Sequence, residues 1–240
     1  MDRIKVLDIG FDNVNMKEAV EACKQFIRGD KGNLVVTPNP EIVMKAREDE
    51  DFKKIINEAE LVIPDGIGII KGANILGTPL KERVAGYDLI CNLLEEGKDG
   101  TITFYFWGSK PGYADEAKQK VEAKYPKIKI LGAHTGYFQE EEEASIIEEI
   151  KRLKPDVLLV GTGFPKQEKI INKYKNDGFF KVGIGCGGSI DVLAGRVKRA
   201  PKLFIKLHLE WFYRLLKQPS RWKRMLVLPK FMKEVKRSKK

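Results

Sequence analysis

The feature that most constrains this chain is an alternation. In its second half, short runs rich in β-branched and aromatic residues are separated by longer stretches with apolar residues at helical spacing. Residues 101–107 (TITFYFW), 128–131, 157–160 and 179–184 read as strands, and residues 113–124, 140–153, 166–175 and 189–194 read as helices. Strands joined by helix-length connections pair in parallel, because a parallel neighbour needs a crossover. The first half extends the pattern. Residues 4–9 read as a strand, and Asn15 with Glu18 three residues on reads as a capping box opening a helix to about residue 27. A strand at 34–36, one helix over 41–59, a strand at 61–63 and a short helix over 69–76 ended by Gly77 follow, then a loop and a helix to about residue 94. The expectation is an α/β fold: a Rossmann-like, mainly parallel sheet with helices on both faces.

In such sheets ligands bind outside the carboxyl ends of the strands. Residues 61–68, LVIPDGIG, place one carboxylate there. Pro64 ends the ladder because it has no N–H to donate, Asp65 follows, and Gly66 and Gly68 flank the turn into a helix. An aspartate at such a place is also a common turn residue. A second strand end of the same kind, LVVTPNPE, carries Thr37 and Asn39. Two polar strand ends, each beside a proline, point to one shared cleft. Gly183, Gly185 and Gly188 make a GxGxxG with Gly187 inside it, where backbone N–H groups can approach a diphosphate. It lies in the last strand–helix unit, with no acidic residue on a following strand, which argues against a nicotinamide oxidoreductase. Asp191 in the next helix reads either as a partner for a ribose or sugar hydroxyl or as an acidic residue suited to a helix start. GTGFPKQEK lacks the Walker spacing, and its Gln167 reads as a substrate contact or as a solvated side chain. Arg83, on a loop, reads as a phosphate partner or as a surface arginine.

Composition narrows the classes. Cys23, Cys91 and Cys186 are widely spaced and form no CxxC pair, which fits a reducing cytoplasm. The N-terminal MDRIKVLDIG lacks a signal-peptide pattern, and no apolar run approaches the ~20 residues of a membrane-spanning helix. His134 and His208 stand alone, and Asp49-Glu50-Asp51, a literal DxD, lies in a charged helical run rather than after a strand. The expectation is therefore no metal and no cofactor.

The net charge of +10 conceals an asymmetry. Residues 196–240 hold 16 lysines and arginines against Glu210 and Glu234, a net +14, which leaves 28 basic against 32 acidic residues before them, a net −4. Leu203, Phe204, Leu207, Trp211, Phe212 and Leu215 recur at helical spacing among the cations, and Trp222, Met225, Leu226 and Phe231 follow Pro219. That pattern describes helices lying in an anionic membrane interface. Packing on the core and nucleic-acid binding are the alternatives. The expected organisation is a catalytic body over 1–195 and a basic amphipathic appendage over 196–240.

TPNPEIV, IPDGIG, ERVAG, GTGFPKQE and GGSIDVLAGRVKRAP, in this order, resemble the WecG/TagA/CpsF glycosyltransferases across nearly the whole chain. The resemblance implies an inverting, metal-independent transfer of N-acetylmannosamine from UDP-ManNAc to undecaprenyl-diphosphate-linked GlcNAc, as in the linkage unit of wall teichoic acid. It places the enzyme in the cytoplasm, peripheral on the inner face of the membrane, with no nucleic acid as partner. The related N-acetylmannosaminuronate transfer and a non-catalytic membrane or nucleic-acid adaptor are the competing readings, and a homo-oligomer is left open. It implies Asp65 as base with Thr37 beside it. Asn39, Arg83, Gln167, Gly185, Gly187 and Asp191 fall on the donor side, and Arg214, Arg221 and Arg224 on the acceptor diphosphate and membrane. Cys186 departs from the aliphatic residue expected there.

Overall fold

The computed structural model describes residues 2–217, 219 and 222–239. The chain opens with an antiparallel hairpin, β1 (Arg3–Val6) and β2 (Ile9–Asp12), where one strand over 4–9 was expected. The run is folded back because Leu7 turns the chain with φ +56°. The hairpin stands apart from the main sheet and is tied to it through Asp12. The Asp12 carboxylate accepts from the Val62 N–H at 2.8 Å and pairs with Arg3 at 3.2 Å.

Helix α1 (Met16–Arg28) carries the expected box: Asn15 and Glu18 each accept from the other's backbone N–H. Strand β3 (Asn33–Val36) leads to α2 (Pro40–Ala46) and α3 (Glu50–Asn57), two helices in place of one over 41–59. Asp49 is extended and caps α3, accepting from Phe52 N at 2.9 Å, so the charged run holds a break. Then follow β4 (Leu61–Val62), α4 (Ile67–Leu76), α5 (Gly86–Glu96), β5 (Thr103–Gly108), α6 (Tyr113–Lys124), β6 (Lys129–His134), α7 (Glu140–Leu153), β7 (Val157–Gly161), α8 (Lys166–Tyr174), β8 (Val182–Gly185) and α9 (Ser189–Leu193).

Strands β3 to β8 form one parallel sheet in the order β4-β3-β8-β7-β5-β6. Their side chains alternate between faces, as the pleat requires. Leu34, Val36, Tyr105, Trp107, Leu158 and Val160 pack with α2, α3, α4, α7 and α8, while Val35, Phe104, Phe106, Val157 and Leu159 pack with α1, α5, α6 and α9. Both faces are thus covered, and the carboxyl ends of all six strands share one edge. The alternation of the sequence fixes this α/β architecture as expected.

Four helices follow among the described residues: α10 (Lys202–Lys206), α11 (Glu210–Lys217), α12 (Trp222–Met225) and α13 (Val227–Ser238). α13 packs on α4 and α2, with Phe231 and Val235 fully buried. Gly72 permits this approach: a Cβ there would come 3.0 Å from Val6 Cγ1 and 3.3 Å from Phe231 Cζ. The change of composition near Gly195 is therefore not a break in the core. Leu203, Leu207, Leu216, Trp222 and Leu226 instead leave more than half of their surface exposed. No helix among the described residues is long and apolar enough to cross a membrane.

Candidate active site

The ends of β3 and β4 meet at the carboxyl edge. Asn39 is extended and caps α2, its Oδ1 accepting from Glu41 N at 2.9 Å and Ile42 N at 3.1 Å. Asp65 is half-buried at the end of β4, and Gly66, at φ +93°, turns the chain into α4. A Cβ on Gly68 would fall 2.6 Å from Pro40 Cγ, so the two helix starts interlock only because that residue is glycine. Asn39 and Asp65 thereby line one cavity of about 290 Å³. Thr37 sits beside it, at the seam with β8: its Oγ1 is 3.5 Å from Gly185 O, and a Cβ on Gly86 would come 2.9 Å from its Cγ2.

The glycine turn after β8 lies next along the edge. Gly187 adopts φ +50°, with open space where a Cβ would be. Its N–H donates to Gln167 Oε1 at 3.1 Å, and Gln167 Nε2 donates to Glu168 Oε1 at 2.7 Å. Gln167 is 3% exposed, so both ends of its amide are engaged inside the protein. The sequence offered it as a donor contact, whereas the structure places it under the turn, holding Gly187. Gly185 has no side chain because a Cβ would fall 2.9 Å from both Gln167 Nε2 and Glu168 Oε1. Burial pushes the Glu168 carboxyl up to about 7. Asp191, in the first turn of α9, accepts from the Ser109 hydroxyl at the end of β5.

The appendage supplies the other wall. His208, Glu210, Trp211, Met225, Leu228 and Phe231 line the same cavity as Asp65. Arg83 Nη1 donates to Glu210 Oε2 at 2.7 Å, both side chains being largely buried. Arg83 thus lines the cavity and is paired there with a carboxylate of the chain itself. Arg224 is more than half exposed, its Nε 3.5 Å from Glu41 Oε2. Arg221 and the side chain of Arg214 lie outside the described residues.

Lys71, Tyr87, Arg199 and Glu210 also belong to the wall and were not singled out from the sequence. Tyr87 and Arg199 lie next to, or inside, recognisable runs, ERVAGYD and GRVKRAP. Their partnership was not readable, since Arg199 reaches back to Asp88 at 2.7 Å and stacks over the Tyr87 ring at 5.0 Å. Burial, with Cys91 second, raises the Tyr87 phenol well above its ordinary range. Among the described residues no three of histidine, cysteine, aspartate and glutamate cluster as metal ligands. Asp49 of the DxD instead caps α3 and pairs with Lys169 at 3.3 Å.

The cavity, beside the ends of parallel strands and near a glycine turn, offers three carboxylates, two arginines and a lysine. Known proteins resemble the chain over most of its length. A Bacillus spizizenii protein is 38% identical over 210 residues, covering 88% of this chain and 81% of that protein. A Bacillus subtilis protein is 37% identical over 225 residues, 93% of this chain and 87% of the other. A Staphylococcus aureus protein is 35% identical over 239 residues, 99% and 93% of the two. Each is named N-acetylglucosaminyldiphosphoundecaprenol N-acetyl-beta-D-mannosaminyltransferase. Residues 4–240 match the profile described as the Glycosyl transferase WecG/TagA/CpsF family, and the chain belongs to that family.

Proposed function

We propose that this chain transfers N-acetylmannosamine from UDP-ManNAc to the GlcNAc of GlcNAc-diphospho-undecaprenol, the step that makes the linkage unit of wall teichoic acid. The names of the three relatives support the reaction. The observation that carries the site is Asp65, half-buried in a cavity whose walls also hold Arg83, Arg199 and Lys71. In this reading Asp65 takes the proton of the acceptor hydroxyl as that oxygen bonds to the anomeric carbon. The bond from that carbon to the UDP phosphate breaks in the same displacement, inverting the centre. The departing UDP carries the developing negative charge, which arginine side chains stabilise. Thr37 and Asn39 shape the seam beside the base. Gln167 acts from beneath by fixing Gly187, and Asp191, held by Ser109, faces the donor from α9. The reading needs no metal and no cofactor.

The same reading gives 1–195 the role of catalytic body and 196–240 that of a peripheral membrane appendage and lid. Leu203, Leu207, Leu216, Trp222 and Leu226 supply apolar contacts, and cations near an anionic surface contribute about 1 kcal/mol each. The test is transfer from purified UDP-ManNAc to a detergent-soluble GlcNAc-diphospho-lipid, with and without EDTA. Disaccharide formation that survives EDTA is expected. No product, or loss on chelation with recovery on Mg²⁺, would overturn the reaction or its metal independence. Cosedimentation with anionic liposomes that weakens at high salt is expected for the membrane role, and binding to neither anionic nor neutral liposomes would remove it.

A further inference from the structure

Among the described residues, the contact between Arg83 and Glu210 is the most buried ion pair between appendage and cavity wall, with side chains 13% and 16% exposed. The second Glu210 oxygen lies 3.9 Å from Arg199 Nε. One carboxylate therefore sits between two guanidinium groups. Arg199 does not depend on it for its position: both Asp88 oxygens are within 2.7 Å of its Nη2, and Tyr87 lies beneath its plane. Arg83 has Glu210 as its one ion-pair partner among the described residues.

Charge and geometry together say what else this place suits. Lys71, Arg83 and Arg199 face Glu41, Asp65 and Glu210 around the cavity, so with Glu210 in place the lining carries no excess charge. With Glu210 withdrawn, the lining turns positive, and Arg83 is left largely buried beside a second, fixed arginine. A buried cation without a partner is strongly disfavoured, so withdrawal is tolerable only when another anion arrives. Guanidinium forks bind phosphate oxygens with the same paired geometry as carboxylate oxygens. An apolar residue at 210 would fasten α11 to the body without the desolvation that this pair costs.

We propose that Arg83 and Arg199 form a seat for one phosphate of a substrate diphosphate, and that Glu210 is its internal occupant, exchanged for that phosphate when substrate enters. The proposal rests on the reading of this cavity as the transfer site. Both substrates of that reaction are diphosphate esters, a nucleoside diphosphate on the donor side and a prenyl diphosphate on the acceptor side. The exchange makes binding competitive with the appendage's own carboxylate: apparent affinity falls by the fraction of molecules in which the seat is open. It also couples diphosphate entry to the start of α11, the segment that carries Trp211 and Phe212 at the surface.

The test is calorimetric titration of the full chain with UDP, with geranyl diphosphate and with uridine. Glu210→Gln, which keeps the shape but not the charge, should bind at least one of the diphosphates tighter, by roughly 5- to 20-fold. Arg199→Gln should bind the same ligand more weakly, on the order of tenfold. Uridine affinity should move in neither variant. An effect confined to UDP places the seat on the donor side, and one confined to geranyl diphosphate places it on the acceptor side. Unchanged or weaker binding of both diphosphates by a Glu210→Gln protein that melts like the parent would overturn the proposal, as would an equal shift for uridine. If Glu210→Gln does not fold, Arg199→Gln decides alone: weaker diphosphate binding supports the seat and unchanged binding overturns it. Failure of sugar transfer would sink the proposed reaction while leaving these affinities readable, and unchanged affinities in a transfer-competent chain would sink only the seat.

Discussion

The sheet side and the appendage side of the cavity hold their polar groups by different means. On the sheet side the chain approaches itself closely. Gly185 leaves room for Gln167 and Glu168, Gly187 gives its N–H to Gln167, and Gly68 clears Pro40. These are contacts between neighbouring elements of the core: a methyl group would collide at Gly185 and Gly68, and at Gly187 it would meet a backbone held at φ +50°. On the appendage side, charged side chains meet across long stretches of sequence: Arg83 with Glu210, Arg199 with Asp88, Arg224 with Glu41 and Arg47 with Glu234. Two of these join a tail arginine to a body carboxylate, and two join a tail glutamate to a body arginine. One side is built for fixed geometry and the other for exchange of partners. The changes that test this division range from the reacting centre outward.

Asp65 stands where the two sides face each other, so its removal has the largest expected effect. Asp65→Asn should keep the fold and UDP binding and lower turnover by roughly 10²- to 10⁴-fold, read as initial rate at saturating substrates. Near-normal turnover in the folded variant would move the base elsewhere on the wall.

Phe231 tests whether the division between body and appendage is a division of the core. It belongs to α13 yet is fully buried beside Gly72 and Val6. Phe231→Ala should cost about 3–5 kcal/mol of unfolding free energy, while Leu226→Ala, at an exposed position, should change it by less than about 0.5 kcal/mol. Denaturant melts of both variants make the comparison. Equal, small effects would mean that α13 detaches as freely as its charge suggests.

The same contrast explains what the sequence disclosed. The pleat alternation of Tyr105 and Trp107 against Phe104 and Phe106 is local, and so is the box of Asn15 and Glu18, and both could be read from spacing. Asp65 and Asn39 could be placed at the carboxyl edge because strand ends bounded by proline and glycine mark it, whereas Arg83, on a loop, could be read only as a phosphate partner or a surface arginine. The hairpin at Leu7 was not legible, because its Leu7-Asp8 turn carries no glycine or Asn-Gly signal, and Asp12 holds it through a hydrogen bond to Val62, fifty residues away. Asp49 looked like part of a charged face because its capping role shows only once the helix break is known. Gln167 could be placed on the first turn of a helix, but spacing does not say whether such a side chain points out to ligand or in under Gly187. Arg83 and Glu210 are 127 residues apart, and nothing local to either one predicts the pair.

Glu168 offers a pH test of the sheet side. Its carboxyl is pushed up to about 7 by burial, with Gln167 opposing more weakly. Between the ordinary carboxylate range, roughly pH 4.3, and about 7 the native state holds a proton that the unfolded chain has lost. More protons are bound in the native state, so stability falls as pH rises through that window and levels off above it. The stabilisation is fully present below the window, and roughly 4 kcal/mol is lost across it. Glu168→Gln should remove this slope and be the more stable protein at pH 8. Urea melts at several pH values check it, and parallel curves for parent and variant would exclude Glu168 as the titrating group.

The smallest expected effect on stability is also the sharpest probe of the appendage. Arg224 is more than half exposed and its Nε lies 3.5 Å from Glu41, a pair that solvent screens. Exposed pairs of this kind contribute about 0–1 kcal/mol, so Arg224→Ala should melt almost as the parent does. Glu41 lines the cavity, however, which puts the guanidinium at its mouth, where an anionic substrate would pass. If Arg224 changes partner from Glu41 to the acceptor diphosphate, Arg224→Ala should raise KM for a detergent-soluble acceptor by roughly tenfold and leave UDP binding alone. Arg224→Lys keeps the charge but not the fork, and should recover only part of the loss. A KM unchanged in Arg224→Ala would make the pair a surface tie, and the appendage would then act on the acceptor through other residues or through the membrane alone.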